Sequence, residues 1–219
     1  MKLRSKPVGV KVVKKGDPIP EGFQKPTDNI RYCQSLMRAR KGESFLIPAK
    51  KHACLVGASG LGLVPTPPKV VTGRFHHELG RFASEEAAGK MISERPHFDE
   101  CSTVATVVSP LKDFTTDPDV VILIDLPGIL YWLIAASTFF EGGRVTFSAA
   151  PFQATCADST VIPILTGELN ISLGCYGCRQ QTDMEEDEII AGIPIKKLEK
   201  VVEALEKMCG GPMYMVRKS

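Results

Sequence analysis

The sequence lacks a long uninterrupted apolar segment. Its most apolar stretch, residues 120–140, is broken by Asp125, Pro127 and Gly128, so neither part reaches the roughly 20 residues that a membrane helix needs. The charged N-terminus is not followed by the apolar run of roughly 7–15 residues that is typical of a secretory signal. These two absences predict a cytoplasmic protein with no membrane partner.

The sequence also lacks a strong excess of charge of one sign. Its 27 Lys and Arg against 25 Asp and Glu give a net charge of +2, whereas a nucleic-acid-binding protein usually carries a basic excess or a basic stripe. We therefore expect no nucleic-acid partner. With 219 residues, of which 43% are hydrophobic, the chain can bury a core without a disulfide or a metal. We interpret residues 1–219 as a single domain.

The cysteines do not fit a disulfide framework. An odd number of them, without a secretory signal, is typical of reduced thiols in a cytoplasm. The seven are Cys33, Cys54, Cys101, Cys156, Cys175, Cys178 and Cys209.

Short β-branched runs alternate with amphipathic segments, which predicts an α/β or α+β fold with a mixed sheet and flanking helices. The pattern predicts strands at 8–13, 120–124 and 145–148, and a helical C-terminus over 185–210. Ser84, which two acidic residues follow, predicts the N-cap of a further helix. The segment 128–140 is predicted to be a helix that is apolar on every side. Such a helix is either central in the fold or part of an interface between two copies, so a homodimer is one expected assembly.

Two parts of the chain, about 7–64 and 119–175, resemble each other and predict an internal duplication. Each consists of a predicted strand, helix and strand, followed by a cysteine. In each, the cysteine (Cys54 or Cys156) lies nine residues after a phenylalanine. Two βαβ-like halves would pair their strands in parallel and would make Cys54 and Cys156 equivalent.

Cys54 and Cys156 each precede a predicted helix, whose dipole would lower the thiol pKa and favour a nucleophile or a metal ligand. The alternative is that each is a small buried residue. Asp158 either caps the helix that it begins or acts as a general base for a thiol. Cys175 and Cys178 have the C-x-x-C spacing of metal knuckles and redox pairs, but no second C-x-x-C accompanies them.

A glycine run, Gly57, Gly60 and Gly62, matches neither a nucleotide-binding P-loop nor a dinucleotide fingerprint. Glycines near a helix N-terminus allow a backbone to approach an anion. Arg179 could then supply the positive charge of a small anion-binding site. The alternative is a tight turn.

Several short motifs together resemble the family catalogued as domain of unknown function 169, which consists of uncharacterised archaeal and bacterial proteins. The likeness extends from Pro7 to about Met208 and implies a shared fold and a common site, but no activity. It implies that Cys33, Cys54, Cys156 and Cys175 recur, while Cys178 falls at a variable position, which weakens Cys178 as a ligand. The motifs are Arg31-Tyr32-Cys33-Gln34, Cys54 with its glycines, Gly143-Arg144-Val145-Thr146-Phe147-Ser148, Cys156-Ala157-Asp158 and Leu173-Gly174-Cys175-Tyr176-Gly177-Cys178-Arg179.

Three functional hypotheses follow. The first is a protein that binds zinc or an iron–sulfur cluster through Cys33, Cys54, Cys156 and Cys175, since four thiolates are the ligand set of both. The second is a binding module for a small anionic molecule at the glycine run and Arg179. The third is a thiol-dependent enzyme with Cys156 or Cys54 as the nucleophile.

Overall fold

A computed structural model describes residues 2–209 and residue 211. In this part of the chain, six strands form one sheet in the order β2-β3-β1-β4-β6-β5. The predicted combination of a sheet and flanking helices is confirmed. The strands are β1 (Val8–Lys14), β2 (Phe45–Pro48), β3 (Thr103–Pro110), β4 (Val120–Asp125), β5 (Asn170–Ser172) and β6 (Ile189–Pro194).

The helices follow the predicted start and stop signals at several places. Helix α5, for example, begins after Ser84, whose Oγ accepts a hydrogen bond from the backbone N–H of Ala87, as an N-cap serine should. A π-helix, Ala154–Val161, runs directly into α7. The α-helices are α1 (Tyr32–Ala39), α2 (Leu55–Gly60), α3 (Pro68–Val71), α4 (Arg74–Glu78), α5 (Glu85–Ser93), α6 (Pro127–Thr138), α7 (Ile162–Thr166), α8 (Tyr176–Gln181) and α9 (Ile195–Cys209).

The predicted parallel pairing is wrong, because every pair of neighbouring strands in the sheet is antiparallel. β3 lies between β1 and β2, and β6 lies between β4 and β5. β1 and β2, the strands of the first predicted βαβ unit, therefore point the same way without touching, and so do β4 and β5. β1 and β4 pair with each other at the centre of the sheet, with β3 and β6 next outward and β2 and β5 at the edges.

Two further corrections concern the second half of the chain. Residues 145–148 form no strand; the backbone N–H of Ser148 donates instead to the side chain of Asn170. The edge strand on this side is β5, which lies farther along the chain. The predicted helical C-terminus over 185–210 is also wrong at its start, because 189–194 is strand β6 and the helix begins at Ile195.

Both faces of the sheet are covered near its centre. On one face, α1, α2 and the π-helix pack against β1 and β4 around Leu36 and Ile122. On the other face, α6 and α9 pack against β4 and β6 around Leu133 and Ile193. A strand buried on both faces reads as a continuous apolar run, which is why β4 is apolar up to Asp125. The face of the sheet that α1, α2 and the π-helix cover carries the four candidate cysteines, Cys33, Cys54, Cys156 and Cys175.

Helix α6 is buried on one face only. Leu130 and Leu133 are less than 2% exposed, whereas Tyr131 is 53% exposed, so the helix is not central in the monomer, and its place in an interface between two copies stays a prediction. Among the described residues, we find no helix with the length and apolarity that a membrane crossing requires.

Candidate functional site

A cavity of about 350 Å³ lies between α1, α2, α4, the π-helix and α8. The four cysteines singled out as candidate metal ligands (Cys33, Cys54, Cys156 and Cys175) all line it. They come from four different helical elements and from both halves of the chain. Phe75, Leu79 and Phe152 contribute apolar side chains to the wall of this cavity.

Each cysteine is placed by the start of a helical element. Cys33 is the second residue of α1, and Cys156 is the third residue of the π-helix. Cys54 and Cys175 are the N-cap residues of α2 and α8. The Cys54 Sγ accepts a hydrogen bond from the N–H of Gly57 at 3.4 Å. Cys54 follows the edge strand β2 and is the N-cap of a helix. In the second half of the chain, Cys175 has this position after the edge strand β5, so the predicted equivalence of Cys54 and Cys156 is wrong.

Two glycines each lie beside two of the sulfurs. A methyl group at Gly57 would lie 3.4 Å from the Cys156 Sγ and 3.7 Å from the Cys54 Sγ. A methyl group at Gly177 would lie 3.7 Å from the Cys175 Sγ and 4.0 Å from the Cys33 Sγ. Each glycine thus lies beside one cysteine of the first half of the chain and one of the second half.

Cys178 lies behind this lining. It is fully buried, its Sγ is 3.4 Å from the Cys175 Sγ, and it does not line the cavity. A hydrogen bond with Cys175 lowers the pKa of Cys178, whereas a hydrogen bond with Cys33 and burial raise it, with a net rise to about 11. Cys178 therefore contacts Cys175 from outside the cavity.

The lowered pKa that the helix dipole predicts for the Cys156 thiol is not found. Burial raises the pKa of Cys156 well above its ordinary value, and the nearby thiols of Cys175 and Cys54 raise it further. The hydrogen bond with Cys178, followed by burial, raises the pKa of Cys175. Both thiols are protonated at neutral pH in the metal-free protein, which disfavours a nucleophilic role, because the thiolate is the nucleophile.

Within residues 2–209 and 211, no group of three or more His, Cys, Asp or Glu side chains is arranged to hold a metal ion. A tetrahedral ion with metal–sulfur bonds near 2.3 Å needs its sulfurs within about 4 Å of one another. The Sγ atoms of Cys175 and Cys178 meet this condition, at 3.4 Å.

Asp158 does not line the cysteine cavity. Its carboxylate accepts hydrogen bonds from the Ser172 hydroxyl at 2.8 Å and from the Ala150 N–H at 3.4 Å. Burial raises its pKa to about 7, although these two hydrogen bonds lower it. Asp158 instead lines a separate cavity of about 330 Å³, which Arg95 also lines. It ties the π-helix to β5 and to the preceding loop, which is a structural role other than the predicted helix cap.

The predicted anion site is not assembled. Gly57 lines the cysteine cavity, but Gly60 and Gly62 do not, and the run forms helix α2 and its end rather than a phosphate-binding loop. All three guanidinium nitrogens of Arg179 donate to backbone carbonyls, among them that of Leu173. Arg179 thus fastens α8 to the segment before β6 and does not reach the glycines as an anion ligand.

Three residues of this region were not predicted from the sequence to belong to a site. His76, which lies in a loop-like stretch and is predicted to be at the surface, is 1% exposed and lines the cavity. Gln153 also lines the cavity, with a left-handed backbone (φ +67°). Arg95 is buried and donates to the Gln153 Oε1 at 3.1 Å. None of the three sits in a recognisable motif, so only the fold brings them together.

Comparisons with known proteins agree with the resemblance. The sequence model of domain of unknown function 169 (DUF169), described as "Uncharacterised ArCR", matches residues 1–204. An uncharacterized protein of Methanocaldococcus jannaschii is 32% identical over 201 residues, which span 91% of this chain and 86% of that protein. No solved structure matches the chain. On the extent of the family match and the identity with this archaeal relative, the chain belongs to the DUF169 family.

Proposed function

We propose that the protein binds an iron–sulfur cluster through Cys33, Cys54, Cys156 and Cys175. The observation that carries this proposal is that these four cysteines, from four separate elements, line one cavity of about 350 Å³. Four cysteine thiolates are the usual ligand set of a [4Fe–4S] cluster. Separate core cysteines would have no reason to share one chamber.

The cavity leaves open space between the cysteines that line it. A cluster of several iron and sulfide atoms needs such space, whereas a single zinc would require its four sulfurs within about 4 Å of one another.

The order of the strands supports a symmetric arrangement of ligands. A duplication that maps β1 onto β4 and β2 onto β5 would also map Cys33 onto Cys156 and Cys54 onto Cys175. Each of the two glycines, Gly57 and Gly177, then lies beside one cysteine of each kind.

The raised thiol pKa values are compatible with this proposal. Ligating thiols must lose their protons, so cluster binding releases protons from Cys156 and Cys175 and weakens as the pH falls. The apolar walls of Phe75 and Phe152 limit access of water, which is one of the factors that set the potential of a cluster.

The test is iron and acid-labile sulfide analysis of protein produced and purified without oxygen, comparing wild type with the double variant Cys54→Ser/Cys156→Ser. We expect about four irons and four sulfides per wild-type chain and loss of most of both from the variant. The matched control is Cys101→Ser/Cys209→Ser, since both of these cysteines are exposed; it should retain the wild-type content. Equal iron in all three proteins, or none in the wild type, would contradict the proposal.

A further inference from the structure

Two residues that line the cysteine cavity each have a buried nitrogen without a hydrogen-bond partner among the described residues. These nitrogens are the Nδ1 of His76 and the Nε2 of Gln153, whose residues are 1% and 5% exposed and line the cavity. Buried polar atoms are nearly always paired, and an unpaired one calls for an explanation. A ligand in the cavity would supply the missing partner.

The orientation of the Gln153 amide follows from its neighbour. A guanidinium has donors and no acceptor, so the amide atom that faces Arg95 at 3.1 Å must be the oxygen. The amide nitrogen is then the atom left over, with its N–H groups available to an acceptor. Gln153 holds this position with a left-handed backbone, which a non-glycine residue seldom adopts.

Arg95 brings a buried positive charge. Burial lowers the pKa of Arg95, and the nearby carboxylate of Glu100, which raises it, is itself exposed to solvent. It is 8% exposed, and its hydrogen bonds go to neutral groups: the Val56 carbonyl, the Ser59 and Thr66 hydroxyls and the Gln153 amide. Its Nε has no partner within the described part of the chain. A buried charge is normally paired, so this one favours a negative charge in the adjoining cavity, beyond Gln153.

The wall around His76 is apolar. The His76 ring lies between those of Phe75 and Phe152, with centroids 5.1 and 4.5 Å away. Burial, and secondarily the charge of Arg95, lower the pKa of His76, so its ring is neutral at pH 7 and offers one donor and one acceptor. Leu79 completes this side of the cavity.

We propose that this cavity binds a small monocarboxylate with an apolar body, whose carboxylate accepts hydrogen bonds from the Gln153 amide and the His76 ring under the influence of Arg95. The inference deepens the proposed function and rests on it for the role of the cavity, because such a ligand would lie beside the cluster. The polar residues that recognise the ligand are not cysteines, so its binding can be measured independently of iron.

The experiment is isothermal titration of anaerobically purified protein with benzoate, and with benzamide as its neutral counterpart. We expect benzoate to bind and benzamide to bind at least about tenfold more weakly. Gln153→Asn shortens the amide but suits a left-handed backbone, and it should weaken benzoate binding by about tenfold or more, as loss of a hydrogen bond to a charged group does. Gln181→Asn is the matched control, because Gln181 lies at the same cavity with an exposed side chain.

Circular dichroism and thermal melting establish that each variant is folded. If Gln153→Asn does not fold, His76→Leu makes the same test, with the same expected loss of affinity. No benzoate binding to the wild type, equal affinity for benzamide, or unchanged affinity in the folded variant would overturn the inference. Visible absorbance of the same samples separates the two proposals: a colourless protein that binds benzoate contradicts only the cluster, and a coloured protein that does not contradicts only the carboxylate site.

Discussion

Replacing Gly192 with alanine should disrupt the packing that holds the π-helix in place. Gly192 lies in the middle of β6, and a methyl group there would lie 2.0 Å from the backbone oxygen of Ser159 and 2.9 Å from Pro163 Cγ. Both contacts are far shorter than the separation of about 3.5–4.0 Å at which heavy atoms attract each other. The strand and the helix would therefore have to move apart by more than 1 Å.

The expected cost is large for a one-methyl change. Overpacking in a core usually costs about 1–3 kcal/mol. We expect Gly192→Ala to reach about 3 kcal/mol, because backbone atoms of the π-helix, rather than a flexible side chain, must give way. Cys156 lies three residues before Ser159 on the same π-helix, so the displacement should also change its distance from the other thiols.

Urea unfolding measures this effect. With a slope of about 1–3 kcal/mol per molar, the midpoint should fall by roughly 1 M or more at an unchanged slope. The control is Gly128→Ala in α6, where nothing lies within 4 Å of the added methyl; alanine should leave stability unchanged or raise it by up to about 1 kcal/mol. A Gly192→Ala protein with the wild-type midpoint would refute the packing argument.

Three other outcomes are expected. Replacing Arg40 with methionine should cost about 3–5 kcal/mol in urea unfolding, because its ion pair with Glu188 (2.7 Å) is buried on both sides; a loss below about 1 kcal/mol would be the behaviour of a surface pair. In chelator-treated native protein, Cys101 and Cys209 should react fastest with a disulfide reagent, since both are exposed; equally fast labelling of all seven cysteines would contradict the fold. Burial lowers the pKa of His52 from 6.5 to about 4, so the unfolded chain binds this proton at a higher pH than the folded protein does. About 3 kcal/mol of stability should therefore be lost as the pH falls from about 6.5 to 4. The substitution His52→Gln should reduce this loss.

Local elements could be predicted from the sequence where one pattern dominates. The apolar, β-branched run of β4 and the serine cap of α5 are such signals, and both elements form as predicted. The pairing of strands could not be predicted, because a buried strand carries no mark of its neighbour. The insertion of β3 between β1 and β2 depends on contacts between residues far apart in the chain, and local periodicity does not encode them.

The candidate site could be predicted in part, where the residue type itself indicates chemistry. Cysteines are few and chemically distinct, so Cys54, Cys156 and Cys175 could be singled out without knowing the fold, whereas only the resemblance to the family indicated Cys33. His76 and Gln153 are ordinary polar residues until the fold buries them. Their proposed role rests on buried nitrogens that lack a hydrogen-bond partner among the described residues, which a sequence cannot reveal.

The central claim is that a multinuclear iron site lies between the four cysteines of the cavity. X-ray absorption spectroscopy of anaerobically purified wild-type protein tests it most directly, because it reports the metal, its ligands and its nearest metal neighbour together. The account predicts iron coordinated by sulfur, with a second iron at short range, as in a cluster. Protein without metal, or zinc bound by sulfur with no metal neighbour, would contradict it.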